Sequence, residues 1–298
     1  MKKIILRTIG IILLILLLAG GRLVWRGLNG FGSLNFLCYL MGPYELADMQ
    51  YEISETAFEV TVDGETVRGK IFLPEDGAEE RKAVIISHGF NCACNLLENK
   101  AKSLAASGVA GIVFDFRGGS HNGQSDGADT DMTVYTEMAD LNAVADYVQS
   151  LGWVQDDGLY LMGESFGGFV TALTAPGRDD VSGIILCFPA LHSPDSAREN
   201  WSDVSEIPET LAVGDMTTGK EFWSTLWEMD VFADIAGYDG RVLILHGTVD
   251  PNVDYHYSIK ANETYQNSEL FLIEGAEHCF GGTNAETTLK TIYYFIEK

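Results

Sequence analysis

The sequence predicts an α/β fold, a mostly parallel central sheet with helices on both faces and an inserted lid. Three observations carry this. Short apolar runs such as Val84-Ile85-Ile86, Ile112-Val113-Phe114 and Ile184-Ile185-Leu186 read as strands buried on both faces. Helical periods lie between them. The clearest spans 133–152, where Val134, Met138, Leu141, Ala145, Val148 and Leu151 share one face. Strand and helix then alternate along the chain, which requires right-handed crossovers into a parallel sheet.

The first element is a hairpin. Residues 58–74 hold two runs of period two around Asp63-Gly64, a pair suited to a tight turn. Residues 82–87 form a buried strand ending at His88-Gly89, residues 95–108 a helix closing on Gly108, and residues 109–116 the next strand. After the helix over 133–152 come a short strand at 158–163 and a helix beginning directly after Ser165. Strands follow at 182–190, 240–247 and 268–275, with a helix around Tyr255–Tyr265 between the last two. Residues 285–298 close the chain as a helix. Residues 191–239 break the rhythm with Pro194, Pro208, Trp201, Trp223 and Trp227 among many acids. A structureless stretch of that length inside a compact domain is usually functional, and a lid is expected. The organisation read from this is an N-terminal hydrophobic segment at 1–28, a linker packing on the body at 29–54, and an α/β domain at 55–298 with the lid insertion at about 191–239.

Charge is uneven. The chain carries 43 acids against 19 Lys and Arg, a net −24. Five of those cations (Lys2, Lys3, Arg7, Arg22, Arg26) lie in the first thirty residues, leaving 14 against all 43 acids. So acidic a body repels phosphate backbones, which excludes nucleic acid as a partner. Behind Lys2, Lys3 and Arg7 runs an uncharged stretch, Thr8 to Gly21. As a helix it covers about 21 Å, short of the ~30 Å hydrocarbon core unless the flanking arginines snorkel. An uncleaved signal-anchor in the cell membrane, with the catalytic body outside the cytoplasm, is expected; the alternative is secretion after cleavage at the small residues 19–21. The five cysteines lie apart except for Cys92-Ala93-Cys94, poor disulfide geometry with no second pair for zinc. They read as mostly free thiols, and neither metal nor cofactor is expected.

The chemistry centres on Gly163-Glu164-Ser165-Phe166-Gly167, set between a strand and a helix. A nucleophile elbow needs that context, because the tight turn holds the serine in a strained conformation and glycines avoid collisions on either side. A serine hydroxyl needs a base, and the base needs an orienting acid. Of the six histidines, His278 follows the strand at 268–275 on the loop to the last helix. His88 and His246 end strands before glycines, where structural roles are expected, and His121, His192 and His256 fall where exposure is expected. Asp250 follows the preceding strand and supplies the acid, with Asp254 as the fallback. The order Ser165, Asp250, His278 differs from both protease orders. Backbone N–H groups of Phe166, next to the serine, and of Phe90, past His88-Gly89, are the expected oxyanion donors.

The segments around "SHGF", "DFRGGSHNGQSDG", "GESFGG", "HGTVDPNV" and "YQNSELFLIEGAEHCF" resemble bacterial cinnamoyl and feruloyl esterases of the α/β-hydrolase superfamily. The likeness covers roughly 55–298, and the framework is also similar to serine aminopeptidase-like and monoacylglycerol-lipase-like hydrolases. It implies a serine hydrolase acting on small-molecule carboxylic esters, with Ser165 as nucleophile, His278 as base, Asp250 as acid and Phe90 and Phe166 at the oxyanion. Peptidase-like or acylglycerol-lipase-like activity on the same triad is the alternative. In those esterases a lid aspartate and a lid tyrosine read the substrate's phenolic hydroxyl. Asp195 matches the aspartate, whereas Trp223 falls at the tyrosine position. Glu164 replaces the more usual histidine of the elbow.

Overall fold

The computed structural model describes residue 46, residues 49–281 and residues 283–298. The hydrophobic run at 8–21, Cys38 and most of the expected linker lie outside the described residues. Among the described residues no helix is long and apolar enough to cross a membrane.

Strand β1 (Ile53–Val62) pairs antiparallel with β2 (Glu65–Pro74) across Asp63-Gly64, whose φ values are 52° and 89°. Two consecutive positive φ values twist the turn to match the strands, and Asp-Gly tolerates them. Then come β3 (Arg81–Ser87), α1 (Glu98–Ala106), β4 (Ala110–Phe114), α2 (Val134–Ser150), β5 (Val154–Glu164), α3 (Phe166–Thr174) and β6 (Val181–Cys187). Between β6 and the next strand of the main sheet lie α4 (Ser193–Asn200), a hairpin of β7 (Thr210–Val213) and β8 (Met216–Gly219), α5 (Lys220–Glu228) and α6 (Val231–Ile235). The chain closes with β9 (Arg241–Gly247), α7 (His256–Thr264), β10 (Ser268–Ile273) and α8 (Thr283–Glu297).

Eight strands form one sheet in the order β1-β2-β4-β3-β5-β6-β9-β10, parallel from β4 onward. Successive strand residues point to opposite faces, so each β-branched run feeds two cores. Ile85, Ile112, Leu161 and Ile184 pack on the side of α2 and α3. Val84, Ile86, Val113, Met162 and Ile185 pack on the other side with Leu104 of α1 and Ile292 of α8. Both faces are dry, which is why these strands lack polar alternation.

Three expectations shift. The helix expected from residue 95 begins at Glu98, with a 3₁₀ turn over Cys94–Leu96 before it. The short strand expected at 158–163 extends back to Val154, paired to β3 through Arg81. Of the expected face of α2, Val134, Leu141, Ala145 and Val148 are buried and Met138 packs against them, whereas Leu151 is exposed and Glu137, Asp140 and Val144 are buried besides. Asp140 on that face accepts the Nε–H and the backbone N–H of Arg117. The β7–β8 hairpin is an element the residue pattern did not predict.

Candidate active site

The three triad candidates leave the sheet at the carboxyl ends of β5, β9 and β10, the edge where open α/β sheets carry their sites. Ser165 caps α3 with φ 54° and ψ −117°. Few non-glycine residues adopt such a conformation, and the surroundings hold it there. The elbow is crowded enough to explain its glycines. A Cβ on Gly163 would meet the Gly167 carbonyl oxygen at 2.1 Å, and one on Gly167 would meet the Ser87 and His88 carbonyls at 2.4 Å.

The structure brings Ser165, His278 and Asp250 together. The Ser165 Oγ lies 3.0 Å from His278 Nε2, and His278 Nδ1 lies 2.7 Å from Asp250 Oδ2. With Nδ1–H donating to the carboxylate, Nε2 presents its lone pair to the serine hydroxyl. The His278 ring tilts against Phe188, centroids 4.5 Å apart. The Asp250 side chain is buried, and its Oδ1 accepts the N–H groups of Asn252 and Val253. Burial would raise its carboxyl group, but hydrogen bonds from His246 and His278 outweigh burial and hold it well below the usual carboxylate range. Asp254 turns instead to the exposed His256.

His246, expected to be structural, also reaches the triad acid. It is fully buried, with Nε2 3.1 Å from the Val253 carbonyl and 3.2 Å from Asp250 Oδ2. Two acceptors at Nε2 place the proton there, so Nδ1 accepts from the Ser258 hydroxyl at 2.7 Å. The spacing His-Gly-Thr-Val-Asp at a strand end is the signal that identifies it.

The loop after β3 presses on the elbow. A Cβ on Gly89 would sit 3.1 Å from the Ser165 Cβ. His88 is buried, which lowers its pKa and keeps it neutral; its Nε2 accepts the Phe116 N–H at 3.1 Å. Its Nδ1–H therefore donates to the Gly89 carbonyl at 2.9 Å, and the Cys92 N–H reaches the same oxygen at 3.0 Å. That peptide is trans, so the Phe90 N–H points to the side opposite the anchored oxygen.

Above Ser165 opens a cavity of about 650 Å³. Phe90, Phe166, Phe222 and Trp223 line one part of it and pack ring on ring, with the Phe166 and Phe222 centroids 5.5 Å apart. His192, Ser193, Ser196 and Asn252 also line it. His192 is thus half-buried in the wall, contrary to the expected exposure, because the start of α4 folds back over the site. Trp223 faces the cavity while its indole N–H donates to Thr218 Oγ1 at 2.8 Å. Asp195 is not brought to the wall. Its carboxylate accepts the Tyr257 hydroxyl at 2.8 Å and pairs with Arg198 at 3.2 Å, which draws it outward along α4. Glu164 finds its partner in Lys100 of α1, and both side chains are buried. Lys100 falls in the apolar stripe of its helix, three residues before Ser103 and four before Leu104, the signal for a buried counter-charge. Cys92, Cys94 and Cys187 are free thiols.

Residues 78–214 match a family model described as serine aminopeptidase, S33. The structure is similar to Est1E from Butyrivibrio proteoclasticus with bound ferulic acid, at 27% identity and TM-score 0.74 over 81% of this chain and 100% of that one. In fold alone it is similar to acetyl xylan esterase 1 from a Thermoanaerobacterium species, at 16% identity and TM-score 0.62 over 83% of this chain and 88% of that one. GrgF, an α/β hydrolase from a Penicillium species, shares the fold at 19% identity and TM-score 0.69 over 82% of this chain and 98% of that one. The chain has the α/β-hydrolase fold and is similar to Est1E.

Proposed function

We propose that this protein is a serine hydrolase that cleaves small carboxylic esters through an acyl-enzyme. The observation that carries the reading is the hydrogen-bonded line Ser165–His278–Asp250 at 3.0 and 2.7 Å beneath an aromatic cavity. His278 Nε2 takes the Ser165 proton as Oγ attacks the ester carbonyl, and Asp250 stabilises the imidazolium. The developing oxyanion is met by the Phe166 and Phe90 N–H groups, each worth about 3 kcal/mol in the transition state. His278 returns the proton to the departing alcohol, and water then releases the acid by the same route. The likeness to a protein that binds ferulic acid supports an aromatic acyl group. Trp223, with its N–H committed to Thr218, favours an apolar ring over a phenolic one.

The family description favours a second reading, amide cleavage next to a free amine. Such a substrate needs a carboxylate to hold its amine. Glu164 is the one carboxylate among the described lining residues, and Lys100 already neutralises it. This favours esters. Residues 191–239 act as the lid in this reading, and the N-terminal run anchors the body at the outer face of a membrane. Fractionation of expressing cells with carbonate extraction tests the anchor. The catalytic reading is tested by Ser165→Ala, which should lose labelling by a fluorophosphonate probe and hydrolysis of short p-nitrophenyl esters. Matched ester and aminoacyl-amide substrates separate the two bond types, and turnover of the amide alone would overturn the ester assignment.

A further inference from the structure

Glu164 precedes the candidate nucleophile and pairs with Lys100, their side chains 3% and 4% exposed. Removing two charges from water is costly, and apolar residues of similar volume often serve stability as well or better. What an ion pair adds over an apolar contact is a fixed geometry between the elements it joins. Here those elements are α1 and the end of β5. Helix α1 continues from the loop that carries Phe90, and β5 ends one residue before Ser165.

The two candidate oxyanion donors therefore come from separate pieces of chain: Phe90 from the β3–α1 loop and Phe166 from the elbow. The loop itself is strained, with Asn91 at φ 53°, and it meets the elbow where Gly89 abuts Ser165 and the Glu164 carbonyl. The β3–β5 pairing ends at Ser87 and Gly163, short of both donors. We infer that the Lys100–Glu164 pair is a clamp that sets the spacing of the two oxyanion donors, making both residues positioning residues for the serine reaction. The inference rests on the serine-hydrolase reading above.

The test is the double variant Lys100→Met/Glu164→Leu, which fills the site with apolar side chains. The expected result is cooperative melting within a few degrees of wild type, KM for p-nitrophenyl butyrate within about threefold, and kcat lowered about 10–100-fold. A trifluoromethyl ketone adds Ser165 Oγ to its carbonyl carbon; the carbonyl electron pair becomes the oxyanion and the serine proton passes to His278. Its Ki should weaken by the same factor as kcat/KM. Glu164→Gln keeps an acceptor for Lys100 and should recover at least tenfold of that loss in both kcat and Ki. Wild-type kcat and Ki in a folded double variant would overturn the clamp, as would equal losses in the double variant and Glu164→Gln. Ser165→Ala is measured alongside. Activity surviving in Ser165→Ala sinks the serine reading itself, whereas an inactive Ser165→Ala beside an undiminished double variant sinks only the clamp.

Discussion

His246 Nε2 lies 3.2 Å from Asp250 Oδ2, the same oxygen that His278 Nδ1 reaches at 2.7 Å. One carboxylate oxygen thus receives two imidazole donors, and His246 is itself anchored through Ser258. Replacing His246 by Leu leaves Asp250 one donor short in a dry site. Hydrogen bonds to charged groups are worth about 1.5–3 kcal/mol, so kcat should fall about 10–100-fold. KM should stay close to wild type, because His246 does not line the cavity. Steady-state kinetics of His246→Leu and His246→Gln on one ester check this; a wild-type kcat in the Leu variant would remove His246 from the relay.

Asp250 also predicts a pH dependence of stability. Its carboxyl group is held well below the usual range by His246 and His278 despite burial. A carboxylate depressed in this way stabilises the fold above its unfolded pKa, about 4, and the contribution is lost as pH falls below that. Asp250→Asn should therefore melt lower than wild type at pH 7, and the gap should narrow as pH drops from 5 towards 3. Its kcat should fall on the order of 10³–10⁴ by loss of the tautomer. A gap independent of pH over that range would contradict the assignment.

Glu137 predicts the opposite sign. It is fully buried, its Oε2 has no hydrogen-bond partner among the described residues, and burial followed by the charge of Asp140 raises its pKa well above the ordinary carboxyl value. A raised acid favours the fold while protonated and weakens it as pH climbs past the unfolded pKa of about 4.3. Glu137→Gln should remove this slope, gaining on wild type in chemical denaturation as pH rises from 5 to 9. Equal stabilities at both ends would show that Glu137 is not buried as a neutral acid.

The insertion at 191–239 predicts selectivity. Trp223 turns a ring to the cavity with its N–H occupied by Thr218, and Asp195 is held by Tyr257 and Arg198 away from the wall. Among the described lining residues there is neither an aspartate nor a tyrosine to read a phenolic hydroxyl. The ratio of kcat/KM for methyl ferulate over methyl cinnamate should lie within about threefold of one, since one unmatched hydroxyl in an apolar pocket changes discrimination little. A ratio of 100 or more in favour of ferulate would refute this.

Much of the site was legible in the residues. Asp63-Gly64 declared its hairpin because tight-turn chemistry is local. The glycines flanking Ser165 signalled a crowded turn, and the 2.1 Å approach of the Gly167 carbonyl to a Cβ on Gly163 gives the reason. Other features were hidden. The hairpin of β7 and β8 turns at Gly214-Asp215 between strands of only four residues each, too short for a period to mark. His192 stands in a segment that reads as surface and becomes cavity wall only when α4 folds over the elbow.

By itself the sequence determined the alternation of strands and helices, the elbow at Ser165 and the order of its candidate partners. Those features depend on periodicity, turn chemistry and spacing within a few residues. Only the tertiary structure decided that Glu164 pairs with Lys100, that His246 shares the Asp250 oxygen and that Asp195 binds Tyr257 rather than lining the cavity. Lys100 and Glu164 lie 64 positions apart, and Tyr257 and Asp195 lie 62. Contacts at such separations are set by strand order and by how each helix crosses the sheet, and no local pattern encodes either.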